Sequence, residues 1–356
     1  MIYFSILCCI GVFTACQVGD NPRFKVKPVA LGVMNEIVVV SDQNIWDGAI
    51  GDSLDYYFGG AYPITPQAEP IFDLRHFAID ELVAQPLRKR LRTYLIVADL
   101  ADPSSETAEM IRNDLGTDGV NRAMSDAAFT TSVGKDKWAT GQILIYLFAN
   151  GYNALASAIR VNFSSISTRV RQHDDHQLTQ STYTRGVNKG LSRQIGQLIG
   201  VSIEVPFEYF VAKEVQKENL VWLRKDTKNA TLSLVLKKEK YTSDSQLTKS
   251  HMKGMRDDFG RRYVSSPEDN SYMLINDEDL PILEYSKEIN GLYAREYRGI
   301  WEMENDFMGG PFMTYLLVNG EDLIYIDAFI LAPGKDKRNY MQQLEKIVSS
   351  VNKNLQ

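Results

Sequence analysis

The densest group of residues able to do chemistry is His173-Asp174-Asp175-His176. On a helix, His173 and His176 stand three apart on one face, close enough to share a Zn²⁺ with Asp174 beside them. A catalytic zinc needs a third protein ligand and an open position. Neither His76 nor His251 lies at a spacing that supplies one, and the stretch has no H-E-x-x-H pattern. The plainer reading is a solvated polar helix, or its end, with no metal and no other cofactor.

Asp306 and the run Met308-Gly309-Gly310-Pro311-Phe312 form a second candidate, a ligand or partner surface. Adjacent glycines can turn backbone amides toward an anion. The run lacks both the strand-to-helix context of a phosphate loop and its Gly-Lys-Ser ending. The alternative is structural: a tight bend or bulge, with Pro311 setting the entry to a strand. Glu304 and Asp306 are placed as the paired carboxylates of a glycosidase can be, but so are the neighbours in any acidic turn. There is no Gly-x-Ser-x-Gly elbow, and no spacing of Ser, His and Asp selects a triad. No catalytic residue is assigned. Arg88-Lys89-Arg90 with Arg92 is the one tight basic group. It is suited to anionic lipid headgroups on a tethered protein, or is simply the solvated lead-in to the apolar run after it. Trp46, Trp138, Trp222 and Trp301 are assigned to core packing by default, with a glycan or peptide groove as the alternative.

The first sixteen residues, MIYFSILCCIGVFTAC, are apolar and uncharged. As a helix they span only about 20 Å, short of a hydrocarbon core of roughly 30 Å, so they read as a signal segment. The small residues before Cys16 resemble the lipobox of bacterial lipoproteins, with Phe13 where leucine is usual and no Lys or Arg ahead of the apolar run. That resemblance implies cleavage before Cys16 and its acylation, two or three chains being enough for stable anchoring. All three cysteines, Cys8, Cys9 and Cys16, lie in this leader. A processed chain then has no disulfide and no free thiol for nucleophilic or metal chemistry. The net charge of −6 falls wholly after the leader, and this mild acidity argues against a nucleic-acid partner.

The order of elements implies two folded units. After residues 16–30, read as a lipidated tether, β-branched and apolar runs at Glu36–Val40, Thr93–Ala98 and Ile143–Phe148 read as buried strands. Helical spacing of apolar residues follows each: Trp46 to Phe58, Ala108 to Leu115 (with Gly116 as a stop), and Leu155 to Val170. Arg171 to Thr182 reads as a polar stretch and Val187 to Ile199 as another helix. Strands alternating with helices give residues 31–200 as a layered α/β domain. After Gly200 come short alternating strands, a helix around Met252–Phe259, further strands from Tyr272 to Leu331 and a final helix with Tyr340, Leu344, Ile347 and Val351 on one face. Residues 201–356 are therefore expected to form an antiparallel sheet with two helices against it. The whole chain is α+β. At fold level the second unit resembles the sandwich of the extrinsic photosystem protein PsbP and its relatives.

Three stretches, Asp136–Gln142, Asn219–Arg224 and Trp301–Phe312, resemble a family of uncharacterised Bacteroidota lipoproteins catalogued as a domain of unknown function. The resemblance covers essentially all of the chain after the leader. It implies export and lipidation and carries over no catalytic residue. The resulting expectation is a lipid-anchored cell-envelope protein with a non-catalytic binding or structural role, meeting an envelope protein or glycan and the membrane through Cys16. Two alternatives stand beside it: an envelope hydrolase acting on peptidoglycan, glycan or lipid, and a small-ligand binding protein using an apolar pocket in the second domain. Gln17 after the lipid cysteine lacks the aspartate-type inner-membrane retention signal, and no acidic run follows. This points to the outer membrane, facing the periplasm.

Overall fold

The computed structural model describes residues 27–353; the leader, Cys16 and most of the tether lie outside the described residues. The first domain runs β1 (Glu36–Val40), α1 (Gln43–Trp46), α2 (Ala49–Phe58), β2 (Asp73–Phe77), α3 (Ile79–Ala84), β3 (Thr93–Asp99), α4 (Glu106–Ser125), β4 (Thr131–Lys135), β5 (Ile143–Ala149) and α5 (Tyr152–Thr182). Its sheet has the order β2-β1-β3-β5-β4. β1 pairs in parallel with β2 and β3, and β3 with β5, while β4 runs antiparallel at the edge. The continuity of the apolar runs follows from cover on both faces. Ile37, Val39, Leu95, Val97, Ile145 and Leu147 pack with α1, α2 and α5. Val38, Val40, Ile96, Ala98, Leu144 and Phe148 pack with α3 and α4.

Two local expectations change here. Gly116 kinks α4 instead of ending it: its φ of 67° breaks the helical backbone, and the helix resumes to Ser125. Arg171 to Thr182 is not a separate polar stretch but the last third of α5, an unbroken helix of 31 residues and about 46 Å. Its period continues through Asp174 and Thr182, which are buried, and Leu178. They were missed because only some of them are apolar.

The second domain comprises α6 (Lys189–Ile199), β6 (Val201–Ser202), β7 (Phe210–Val215), β8 (Leu220–Asp226), β9 (Thr231–Lys240), α7 (Lys249–Tyr263), β10 (Tyr272–Asn276), β11 (Leu283–Ile289), β12 (Leu292–Glu304), β13 (Gly309–Asn319), β14 (Asp322–Leu331), α8 (Arg338–Ser349) and β15 (Asn352–Lys353). Its antiparallel sheet has the order β10-β12-β13-β14-β9-β8-β7, with β11 also on β12. Three helices pack on it rather than two. α6 and α8 cover Leu232, Leu234, Leu317, Ile324 and Ile326 on one face, and α7 covers Val235, Leu316, Leu323 and Phe329 on the other. The boundary drawn at residue 200 therefore moves ahead of α6, whose Ile195 and Ile199 belong to the second core. An amphipathic helix announces that it will bury a face, not which sheet it will bury it on. β11 was missed because its residues are mostly exposed, as suits a strand that adds to the margin of a sheet.

Nearly all the polar contact between the domains is gathered on α8. The Glu69 carboxylate, buried, accepts the backbone amides of Lys337 (2.7 and 2.9 Å) and Arg338 (2.7 Å) at the start of that helix. It thereby meets unpaired amides and the positive end of the dipole from across the interface. Arg338 in turn donates to Pro70 O and the Asp73 carboxylate, each at 2.6 Å. Asn35, held in a left-handed conformation with φ of 65°, exchanges hydrogen bonds with Gln342 and donates to Asn339. Lys346 pairs with Asp175 on α5 at 2.6 Å.

Candidate interdomain site

Below these contacts lies a cleft of about 360 Å³ whose walls come from both domains: Met34, Asn35 and Tyr62 from the first, Lys287, Glu296 and Arg298 from the second. Period two on β12 explains how charge reached its floor. Leu292, Ala294, Glu296 and Arg298 share one face; the first two join the core under α6 and α8, and the last two face the cleft.

Glu296 is fully buried and accepts from Arg298 Nε (2.7 Å), a terminal guanidinium nitrogen (2.6 Å) and the Tyr315 hydroxyl (3.0 Å), while Lys287 ion-pairs with its other oxygen. Arg298 also pairs with Glu345 of α8 and donates to the Tyr62 hydroxyl at 3.3 Å, and that hydroxyl donates to Glu345 at 3.0 Å. Arg298 thus bridges two carboxylates, with Lys287 and Tyr315 on Glu296 and Tyr62 on Glu345. Burial alone would raise the Glu296 pKa, but Arg298 and Lys287 outweigh it and leave it below the usual range. Burial opposes charge on Arg298 as well, and Glu345, Tyr62 and Glu296 overcome it, raising its pKa. Tyr62 and Tyr315 are held protonated, first by burial and then by the neighbouring carboxylates. At the rim, Tyr285 and Arg171 are exposed, and Arg171 makes no hydrogen bond or ion pair among the described residues.

The candidates read from sequence fall as follows. Asp174 lines the cleft, but its carboxylate is committed to structure: Oδ2 accepts the Asn35 amide at 2.7 Å and Oδ1 meets Arg92 at 3.4 Å. Burial raises its pKa, with the Asn35 amide and Arg92 pulling the other way. His173 is half-buried against Arg92, and its Nε2 is enclosed without a partner. His176 is exposed beside Gln180. Among the described residues no three His, Cys, Asp or Glu side chains are grouped to hold a metal ion.

Met308, Gly309 and the fully exposed Phe307 border a separate open groove with Pro66, Gln67 and the 331–337 loop. Gly310, Pro311 and Phe312 are buried in β13, so the six residues do not form one surface. The reason is close approach: a Cβ on Gly310 would stand 2.0 Å from Ile330 O. Glu304 lies exposed on the strand before this turn, and Asp306 Oδ1 accepts the Phe307 amide at 2.7 Å.

Burial and then Arg92 depress the His173 pKa to about 4 from an ordinary 6.5. The unfolded chain takes up this proton first, so His173 costs stability as pH falls from about 6.5 to about 4. Melting curves of the wild type and His173→Gln are expected to diverge across that window, the variant losing less. Parallel curves would show that His173 titrates normally.

Sequence reasoning missed the Glu296–Arg298 floor, although opposite charges two apart on the inward face of a predicted strand were a legible signal. Two family models fit the chain. Residues 30–183 match a domain of unknown function (DUF8532), and residues 188–350 match another domain of unknown function (DUF4837). Each match covers less than half of the chain, and neither model has an assigned activity. The resemblance stated from sequence is met as far as similarity to domains of unknown function, divided between two models, and the division falls between α5 and α6. No curated protein matches the chain.

Two solved structures show weak likeness. A crystal structure from Bacteroides thetaiotaomicron VPI-5482 aligns at 8% identity and a TM-score of 0.27, covering 44% of this chain and 46% of that one. The chain thus spans under half of its length. LpqN, involved in cell envelope biogenesis of Mycobacterium tuberculosis, aligns at 9% identity and a TM-score of 0.27, covering 43% of this chain and 82% of that one. No helix among the described residues is long and apolar enough to cross a membrane.

Proposed function

We propose that the chain is a lipid-anchored cell-envelope protein with a non-catalytic binding role, and that the interdomain cleft receives what it binds. The observation that carries this reading is the cleft itself. Its walls come from both domains, its polar floor is buried and fully engaged, and Tyr285, Arg171 and Leu178 line its accessible part. A concave site with a few convergent polar groups suits recognition. Asp174 is spent on Asn35 and Arg92, so the hydrolase alternative gains no support from this geometry. The small-ligand alternative gains no deep apolar pocket inside the second domain, whose sheet is packed on both faces, and the interdomain cleft is the site we assign to it.

Anchoring is proposed at Cys16, with the outer membrane, periplasmic face, as the location. Intact mass and fractionation in the native host test it. Wild type is expected in the membrane fraction at the mass of a chain cut before Cys16 and carrying two or three acyl chains, and Cys16→Ala is expected to lose both. A wild-type mass without lipid sinks the anchor. The cleft is tested with a photo-crosslinking residue at Tyr285, against a control at the exposed Met124 of α4. A reproducible adduct from position 285 alone supports the site; equal labelling, or none, removes it.

A further inference from the structure

The edge of the first sheet where β3 and β5 begin carries the strap that leads back to Cys16. Val29 bridges Thr140 and Leu31 bridges Leu91, with Ala30 N donating to Thr140 O (2.9 Å) and Leu31 N to Arg90 O (2.6 Å). Residues 28–31, read from sequence as tether or the entry to the fold, are thus already fixed to the body. The chain from Cys16 to Lys27 reaches at most roughly 40 Å, so an anchored Cys16 keeps this edge within that distance of the bilayer.

In a protein of net charge −6 this edge is cationic. Lys27, Arg88, Lys89, Arg90 and Lys135 lie on it without a carboxylate partner among the described residues; Lys27, Arg88 and Arg90 donate only to the carbonyls of Asp136, Glu81 and Val29. The carboxylates that reach the same edge are engaged: Glu36, beside the strap at Gly32, pairs with Arg75 at 2.8 Å, and Asp174 with Arg92 at 3.4 Å. Asp136 Oδ1 accepts the Gly141 and Gln142 amides at 2.6 and 3.1 Å, and Asp114 pairs with Lys137. Among the cations stand exposed aliphatic side chains: Val29 at 70%, Val33 at 65%, Leu87 at 64% and Leu31 at 46%. Single exposed aliphatics are ordinary on a soluble surface, but four on one strap and its adjoining turn, ringed by unpaired cations, make a patch. Aliphatics that enter the headgroup boundary while Lys and Arg meet phosphates are the physical basis of interfacial membrane binding.

We propose that Lys27–Val33, Leu87–Arg90 and Lys135 dock the folded body on an anionic lipid surface. This rests on the anchored reading of Cys16 for its orientation only. Met34 and Asn35, next along the strap, line the interdomain cleft, so docking sets that wall of the cleft beside the bilayer.

The test uses the full chain purified from its host, placed on neutral phosphatidylcholine vesicles and on vesicles with about 30% phosphatidylglycerol. Amide exchange in 28–33 and 87–92 is expected to slow at least about fivefold on the anionic vesicles only, and to recover in about 0.5 M salt. The protection should vanish in Lys27→Glu/Lys89→Glu/Lys135→Glu. It should weaken in Val29→Ser/Leu87→Ser, which keeps the charges. Equal exchange on the two vesicle types overturns the proposal, as does protection that survives the charge reversals. Mass of the same preparation reads the anchor separately. If lipid is absent, the anchored reading fails, while co-sedimentation with anionic against neutral vesicles still decides the surface.

Discussion

Arg256→Met is expected to destabilise the second domain by about 3–5 kcal/mol, because it strips a fully buried carboxylate of its cation. Arg256 on α7 and Asp327 on β14 are both wholly inaccessible, with Nε to Oδ1 at 3.2 Å, and Thr314 donates to the same oxygen at 2.6 Å. The guanidinium lies 4.1 Å from the centre of the Phe312 ring and 5.5 Å from that of Phe329, so substitution also removes packing and cation–π contact. Burial already raises the Asp327 pKa, with Arg256 and Thr314 holding it down. Without Arg256 it rises further. Protonation then relieves the folded variant, so its deficit is full only above the raised folded value and shrinks as pH falls from there toward the ordinary aspartate range.

Adding Asp327→Asn removes the stranded charge and keeps an acceptor for Thr314. The double variant should therefore stand within about 1–2 kcal/mol of wild type, much less destabilised than the single change. Denaturant unfolding followed by fluorescence of Trp222 and Trp301, both packed against Phe329, reports on this core. A single variant within about 1 kcal/mol of wild type would mean that Asp327 is not held as an ion.

Arg298→Met should cost a comparable amount, about 3 kcal/mol or more, and in a different place. It leaves Glu296 with Lys287 and Tyr315, and Glu345 with Tyr62. Because Tyr62 comes from the first domain and Glu345 from α8, the loss should also loosen the interface. Amide exchange should accelerate in α8 and in the segment around Tyr62 as well as in β12. Arg298→Lys keeps the charge but not the planar fork that serves two carboxylates and a hydroxyl, and an intermediate loss of about 1–2 kcal/mol is expected. A loss confined to β12, with α8 unchanged, would show that the network stabilises the sheet without joining the domains.

Much of the element order was legible from residue type and spacing. Glu36–Val40, Thr93–Asp99 and Ile143–Ala149 are strands because runs this apolar are stable only with both faces covered, and the α8 stripe from Met341 to Val348 buries a helix face as its spacing requires. The site was less legible. His173, Asp174 and His176 drew attention as possible ligands, but Asp174 serves the joint between α5 and the loop before β1. Gly309 and Gly310 looked like an anion cradle, and Gly310 instead lets β13 pass close to Ile330. In both places the residue types were informative about constraint but not about its source, because a buried polar group or a glycine answers to whatever neighbour the fold brings, and that neighbour lies far away in sequence.

By itself the sequence determined what local physics can encode: the period of each strong element, two successive folded units and a net acidic charge. Only the tertiary structure decided which sheet α6 covers, that the first sheet is mainly parallel, and that Tyr62, Arg298 and Glu345 meet at all. Those outcomes depend on contacts between residues up to 283 positions apart, as in the Tyr62–Glu345 hydrogen bond. Such contacts form only when complete faces find cover and every buried charge finds its counter-charge.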